Sequence, residues 1–210
     1  MDFKEFIKRT ITSFILIFLF LFIFLFYDKY LIYLAYLVYL VIILELIYNF
    51  RKKIYIFFIS LIYLFFSLFC LNSYFTTYYI KEKFLYTMLI VIIFDIASYI
   101  FGTKFGRLKI LPIISPNKTY FGLISGFMTA FILGSLINFY YKIFETILMI
   151  YFIFFTLSSA FLGDIIESIF KRKSNLKNSS NILQGHGGFF DRFDSLIMVF
   201  IFLFLFNSII

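Results

Sequence analysis

The chain contains no tryptophan, two prolines and a single cysteine in 210 residues. The cysteine, Cys70, lies in an apolar run, and one cysteine excludes a disulfide framework. Charged residues make up only 14% of the chain, and no stretch has the composition of a soluble domain or a linker. Phenylalanine and tyrosine are abundant, with 36 and 17 residues, but AT-rich codons favour both. Their number therefore does not indicate a binding surface.

Long apolar runs dominate the chain: 63% of residues are hydrophobic, and the mean hydropathy is +1.02. This pattern predicts an all-α, polytopic integral membrane bundle that forms a single membrane domain over 1–210. Hydropathy indicates about seven transmembrane helices, near 11–27, 30–48, 54–71, 84–101, 121–138, 143–163 and 195–209. No small-residue cleavage site follows the first run, so we expect a retained helix rather than a signal peptide.

The distribution of basic residues predicts the orientation. Fifteen of the nineteen lysines and arginines fall on one side of the predicted spans, together with the N-terminus. The positive-inside rule makes that side cytosolic. The net charge of +8 sits in short juxtamembrane loops, which favours anionic membrane lipids over nucleic acid as partners. We therefore predict a multi-pass protein of the cytoplasmic membrane.

Acidic residues are concentrated in the segment 164–194, which holds four of the eleven and the only histidine. Four residues at i, i+3, i+4 and i+7 share one face of a helix: Asp164, Glu167, Ser168 and Lys171. A glycine turn around His186 follows, in which backbone N–H groups can approach an anion, and then two carboxylates at Asp191 and Asp194. This combination suits a divalent cation that carries a polyphosphate.

Two blocks of the chain resemble the phosphatidate cytidylyltransferase (CDP-diacylglycerol synthase) family. The block over 160–196 matches the family signature without insertion or deletion, at Ser168, Lys171-Arg172, Lys177-Asn178, His186-Gly187-Gly188, Asp191-Arg192 and Asp194. The block over 94–126 matches at Asp95, Tyr99, Gly102, Gly106, Ser115, Lys118, Thr119 and Gly122. The resemblance implies that residues 91–210 form a catalytic half and residues 1–90 a transmembrane scaffold. It also implies a chain shortened in its N-terminal half, since the family tends to have more spans.

The resemblance implies transfer of a cytidylyl group from CTP to phosphatidate, with Mg²⁺, alone or together with K⁺, as cofactor. It assigns Asp164 and Asp191 as metal ligands and catalytic residues, with Asp194 and Lys171 beside them. The implied substrate-binding residues are Asp95, Ser115, Lys118, Arg172, Lys177, His186, Gly187, Gly188 and Arg192. Both blocks fall on the predicted cytosolic side, where a nucleotide is found. A homodimer is a further expectation from the family.

Three positions depart from the family pattern, with Asn178 in place of Asp, Gln184 in place of Pro or Gly, and Phe121 in place of Glu. Two departures remove a carboxylate, so an inactive paralogue is one alternative. A CTP-dependent kinase or cytidylyltransferase that acts on another lipid is a second. A transporter is a third, although its acidic residues are expected near mid-span. The Asp-Gly…Ala-Arg run of the CDP-alcohol phosphotransferases is absent.

Each charged candidate also has a purely structural interpretation. Asp164 and Glu167 could screen Lys171, and Asp191 and Asp194 could favour a helix N-terminus electrostatically. The basic residues could be positive-inside or snorkelling anchors, and Asp95 a contact between helices. His186 could bind phosphate, act as a base or form a turn; we favour binding. Glu45 lies outside both blocks, and for it we prefer the structural interpretation.

Overall fold

The computed structural model describes residues 18–50, 53–176, 179–180 and 187–209. Within these residues, six helices are long and apolar enough to cross a membrane. They are α1 (Leu31–Phe50, after a 3-10 turn at Asp28–Tyr30), α2 (Ile54–Ser73), α3 (Lys81–Phe105), α4 (Tyr120–Tyr141), α5 (Thr146–Lys173) and α6 (Phe190–Ile209). All six expose large apolar side chains, as expected for surfaces that face lipid. The predicted all-α polytopic membrane architecture is confirmed.

Six of the seven predicted spans coincide with these helices. The remaining one, near 11–27, is helical over 18–26, and its first part lies outside the described residues. Three helices extend well past their predicted spans: α3 to Phe105, α5 to Lys173, and α6 back to Phe190. Hydropathy ends a span where charged residues begin, whereas a helix continues through them if their side chains find partners inside the protein. The charged signature residues therefore lie largely on rigid helices.

A short antiparallel hairpin occupies most of the predicted connection over 102–120. Strand β1 (Lys109–Leu111) pairs with β2 (Ser115–Thr119), with Lys109 opposite Thr119. Thr119 ends the hairpin and starts α4, because its Oγ1 accepts a hydrogen bond from the backbone N–H of Gly122 at 3.1 Å. This is an N-cap, which fixes the direction in which α4 leaves the hairpin. Lys118 is consequently held one residue before the N-cap of α4.

Small residues on α4 allow α3 and α4 to pack closely. A Cβ atom at Gly126 would lie 1.9 Å from Ser98 Oγ, and one at Gly122 would lie 2.7 Å from the carbonyl oxygen of Ser98. Further from the hairpin along the same two helices, the buried hydroxyl of Tyr86 donates to the carbonyl of Gly134 at 3.0 Å. Glycines are common where membrane helices approach each other in this way. The α3–α4 pair thus forms a firm base for the hairpin between them.

Buried hydrogen bonds join α1, α2 and α6. The hydroxyls of Tyr39 and Ser67 lie 2.6 Å apart, and Ser67 donates to the carbonyl of Ile197 at 2.6 Å. Since successive helices alternate in direction, the C-terminal ends of α1, α3 and α5 meet the N-terminal ends of α2, α4 and α6 at one end of the bundle. The hairpin and the loop that precedes α6 lie at this same end. The candidate site is built there.

Candidate active site

A cavity of about 330 Å³ opens at this end of the bundle, between α3, α5, α6 and the hairpin. Residues from both signature blocks line it, although they are far apart in the chain. The predicted site residues among them are Asp95, Ser115, Lys118, Asp164, Lys171, Asp191 and Asp194. Glu167 and Ser168 also line the cavity. The fold therefore brings more than half of the predicted site residues together.

Lys118 connects the hairpin to α5. Its ammonium group forms an ion pair with Asp164 and lies 5.2 Å from the centre of the Phe161 ring. The two charged side chains remain 23% and 20% exposed, so both can be reached from the cavity. The pair is partly buried, and its exposed part faces the cavity. A charged ligand in the cavity can therefore reach both groups.

Lys171 connects α5 to α6 at a more buried position. Its Nζ lies 2.7 Å from Oε2 of Glu167, one helical turn earlier, and 2.8 Å from Oδ1 of Asp191. Glu167 is only 1% exposed, and its Oε1 has no hydrogen-bond partner within the described part of the chain. A buried carboxylate oxygen without a donor is costly. It is the kind of atom that a cation or a protonated ligand group would satisfy.

Asp191 also binds the backbone of two residues that precede α6, Ser179 and Gly188. Its Oδ2 accepts hydrogen bonds from the backbone N–H groups of Gly188 at 2.9 Å and Ser179 at 3.0 Å. The glycine turn predicts N–H groups that approach an anion, and for Gly188 that anion is the carboxylate of Asp191. Gly187 has a φ of +82°, and a Cβ atom there would lie 2.6 Å from Asp191 Oδ2. Both constraints favour glycine at that position.

Asp95 and Asp194 complete the cavity wall from α3 and α6. The hydroxyl of Ser195 lies 3.4 Å from Oδ2 of Asp95, a long hydrogen bond that links the two helices. A Cβ atom at Gly163 would lie 2.4 Å from the carbonyl oxygen of Asp194, so this glycine lets α5 and α6 pack closely beside the site. Both aspartates line the cavity together with Asp164.

The other predicted residues do not line the cavity or lie outside the described residues. The guanidinium of Arg172 donates to the carbonyl of Ile114 at 3.0 Å and to that of Leu176 at 3.2 Å, which ties the hairpin turn to the end of α5. Arg192 lies on an exposed part of α6. Outside the described residues are Lys177, Asn178, Gln184 and His186. The substrate-binding roles expected of Arg172, Lys177, His186 and Arg192 stay predictions.

The donor set of the cavity fits a divalent cation of the magnesium type. Five carboxylates and two lysine ammonium groups line the cavity, so negative groups are in clear excess. Among the described residues, no three acidic, histidine or cysteine side chains converge into a complete metal site. Mg²⁺ is ordinarily held by one or two carboxylates, with water and substrate phosphates as the other ligands. The unpartnered Oε1 of Glu167 is an additional oxygen donor.

Two acidic residues have more prominent places than the sequence analysis gave them. For Glu167 the sequence indicates only that it could screen Lys171 on the same helix face, and the structure shows this ion pair as part of the cavity wall. Glu45 was given a structural interpretation, and its carboxylate does contact the loop and the start of α6. An acidic residue inside an apolar helix, such as Glu45, is itself a signal of a functional or structural role. The residues that bind Glu45 lie more than a hundred positions later in the chain, and the sequence does not identify them.

Comparison with known proteins gives a family match over most of the chain. Residues 49–210 match the model described as the cytidylyltransferase family. The phosphatidate cytidylyltransferase of Staphylococcus haemolyticus (strain JCSC1435) is 41% identical over 116 residues, which cover 55% of this chain and 45% of the relative. The enzyme of the same name from Rickettsia bellii (strain RML369-C) is 42% identical over 124 residues, 55% of this chain and 53% of the relative. The chain spans about half the length of the curated relatives it matches.

Proposed function

Because the chain belongs to the cytidylyltransferase family, we propose that it transfers a cytidylyl group from CTP to phosphatidate, giving CDP-diacylglycerol and pyrophosphate. The relatives described above are named for this activity. The observation that carries the proposal is the cavity, where carboxylates from three helices meet two lysines at one end of a membrane bundle. A lipid phosphate and a nucleotide can meet at such a place without either crossing the apolar core.

In the proposed reaction, an oxygen of the lipid phosphate attacks the α-phosphorus of CTP. One phosphorus–oxygen bond forms to the lipid, the bond between the α-phosphorus and the bridging oxygen breaks, and pyrophosphate leaves. The attacking phosphate is already ionised at neutral pH, so no strong base is required. Catalysis then depends on positioning and on neutralisation of charge.

The two lysines are suited to neutralisation. Lys118 is paired with Asp164, and Lys171 with Glu167 and Asp191, so each ammonium group is held at the cavity wall before a substrate arrives. A phosphate oxygen could accept a hydrogen bond from the third N–H of Lys171 or from one of the two N–H groups of Lys118 that do not bind Asp164. The more exposed Lys118 is the better candidate for contact with the lipid phosphate, since it extends from the hairpin at the edge of the bundle.

Magnesium is part of the proposal, and K⁺ beside it stays a prediction. A nucleoside triphosphate carries several negative charges and would be repelled by a cavity with five carboxylates. Asp164 and Asp191 would hold the metal, with Glu167 as a further oxygen donor. When bound, Mg²⁺ neutralises the triphosphate and stabilises charge on the leaving pyrophosphate.

The proposed location is the cytoplasmic membrane, with the cavity facing the cytosol. The excess of lysine and arginine on the side that carries both signature blocks supports this orientation. CTP would enter from the cytosol, and phosphatidate would enter sideways between helices. A homodimer stays a prediction.

The test is turnover of purified protein reconstituted in lipid, with Asp191→Asn compared with the wild type. We expect at least a hundredfold loss, because an amide is a poorer metal ligand and places an N–H₂ group near Lys171 or the loop amides. Asp28→Asn, at the opposite end of α1, is the matched control and should retain activity. Full turnover by Asp191→Asn would refute the role assigned to this carboxylate.

A further inference from the structure

Glu45 is a buried carboxylate in the apolar helix α1, with 1% of its surface exposed. A carboxylate in such a place needs hydrogen-bond donors. Among the described residues, four such donors come from the segment before α6 or from its first residue. They are Ser180 Oγ at 2.7 Å, the N–H of Phe189 at 2.8 Å, the N–H of Phe190 at 3.1 Å and Ser179 Oγ at 3.3 Å.

These contacts bring two separate pieces of the loop to one side chain. Residues 179–180 bind Glu45 through their hydroxyls, and residues 189–190 bind it through their backbone N–H groups. The latter lie at the start of α6, where N–H groups have no acceptor within the helix. Glu45 therefore caps α6 from another helix. Gly188 fits between the pieces, since a Cβ atom there would lie 2.7 Å from the carboxylate.

The same pieces of chain hold Asp191. The N–H groups of Ser179 and Gly188 donate to the Asp191 carboxylate, while Ser179 Oγ and the next N–H, that of Phe189, bind Glu45. The two carboxylates thus share one stretch of backbone, with Glu45 on its inner side and Asp191 on the side of the cavity. A shift of this stretch would move the donors that orient Asp191.

We infer that Glu45 is a positioning residue for the active site: it fixes residues 179–180 and the backbone at 189–190, and thereby the orientation of Asp191. Its effect on turnover rests on the proposed function, whereas its effect on the loop does not. Glu45 precedes the first residue matched by the family model and lies in the half that the sequence analysis treated as scaffold. The N-terminal helices thus contribute to the site as well as to the membrane surface.

The first experiment measures backbone amide exchange by mass spectrometry in Glu45→Gln, which preserves the size of the side chain. The amide oxygen of a glutamine can accept from the N–H of Phe189 or from that of Phe190, but its N–H₂ group then faces the remaining donors. We expect exchange at the start of α6 to be about tenfold faster or more, because hydrogen bonds to charged groups are among the stronger ones. The exposed Glu145→Gln, at the start of α5, is the matched control and should leave exchange unchanged.

The second experiment measures kcat and KM of the same variants. A positioning role predicts that Glu45→Gln lowers kcat about tenfold while KM for CTP changes little and the helices α3 to α5 keep their protection. Unchanged exchange at the start of α6 would overturn the inference whatever the activity. Faster exchange with an unaltered kcat would show a structural role only and would overturn it as well.

Two further outcomes can be distinguished from a failure of the inference about Glu45. If the wild type makes no product, the proposed function fails, while the exchange experiment still tests the contact between Glu45 and the loop. If Glu45→Gln does not fold, Ser180→Ala removes one donor to the same carboxylate. In that variant we expect faster exchange of the Ser179 amide, and no change there would contradict the inference.

Discussion

Replacement of Lys171 by methionine is the most informative perturbation of the site, because this residue is the cation between two carboxylates of different helices. Its ammonium group lies 2.7 Å from Glu167 and 2.8 Å from Asp191. Methionine preserves most of the apolar stem and removes only the charge and the donors. In the variant, the buried carboxylate of Glu167 would lose its cation and would face the carboxylate of Asp191.

The expected cost follows from the burial of the three side chains. Lys171 is 14% exposed, Asp191 13% and Glu167 1%. Removal of one partner from a buried ion pair destabilises by about 3–5 kcal/mol, mainly because the other charge remains buried without compensation. Since the cavity gives water some access to Lys171 and Asp191, we expect the lower end, about 3 kcal/mol. Lys104→Met, at an exposed position of α3, should cost less than about 0.5 kcal/mol.

The assay is equilibrium unfolding in mixed micelles, with the double variant Glu167→Gln/Lys171→Met included. Glutamine removes the uncompensated charge and can donate to Asp191, so the double variant should be more stable than Lys171→Met by at least about 1 kcal/mol. Strict additivity of the two substitutions would refute the reasoning. So would a Lys171→Met variant within about 0.5 kcal/mol of the wild type.

Two further comparisons of variants test the segment before α6 and the hairpin. Gly188→Ala should destabilise by about 1–3 kcal/mol, because the added Cβ would lie 2.0 Å from Ser179 Oγ. Gly102→Ala is the control: its Cβ would lie no closer than 3.1 Å to a neighbouring atom, so it should cost clearly less in the same unfolding assay. Thr119→Ala should cost about 1 kcal/mol by loss of the N-cap, and Thr119→Ser should retain most of it; equal losses in the two Thr119 variants would exclude the cap as the cause.

The fold could be predicted to the level of helices and their order, because apolar runs of sufficient length have few alternatives in a membrane. The ends of the helices could not. Lys171 and Asp191 fall outside the spans that hydropathy predicts, although their spacing and charge place them on a helix face and near a helix N-terminus. Both lie well inside continuous helices or at their start, and each finds its partner across the bundle. The hairpin was not predicted either, since the strands over 109–111 and 115–119 are short and carry no clear alternation.

The candidate site could be predicted from residue types and spacing in the two blocks, and the structure brings seven of those residues to one cavity. Spacing cannot tell a residue that faces the cavity from one that ties backbone segments together. Arg172 illustrates this, because its guanidinium binds two carbonyls beside the site. Glu45 illustrates the reverse: its partners lie at the other end of the chain, and only the packed bundle reveals them.

The most direct test of the proposed activity is formation of labelled CDP-diacylglycerol from phosphatidate and labelled CTP by the purified protein in lipid. We expect a product that depends on Mg²⁺, disappears with a chelator and returns when Mg²⁺ is restored. Folded protein that forms no CDP-diacylglycerol under these conditions would show that the proposed activity is wrong.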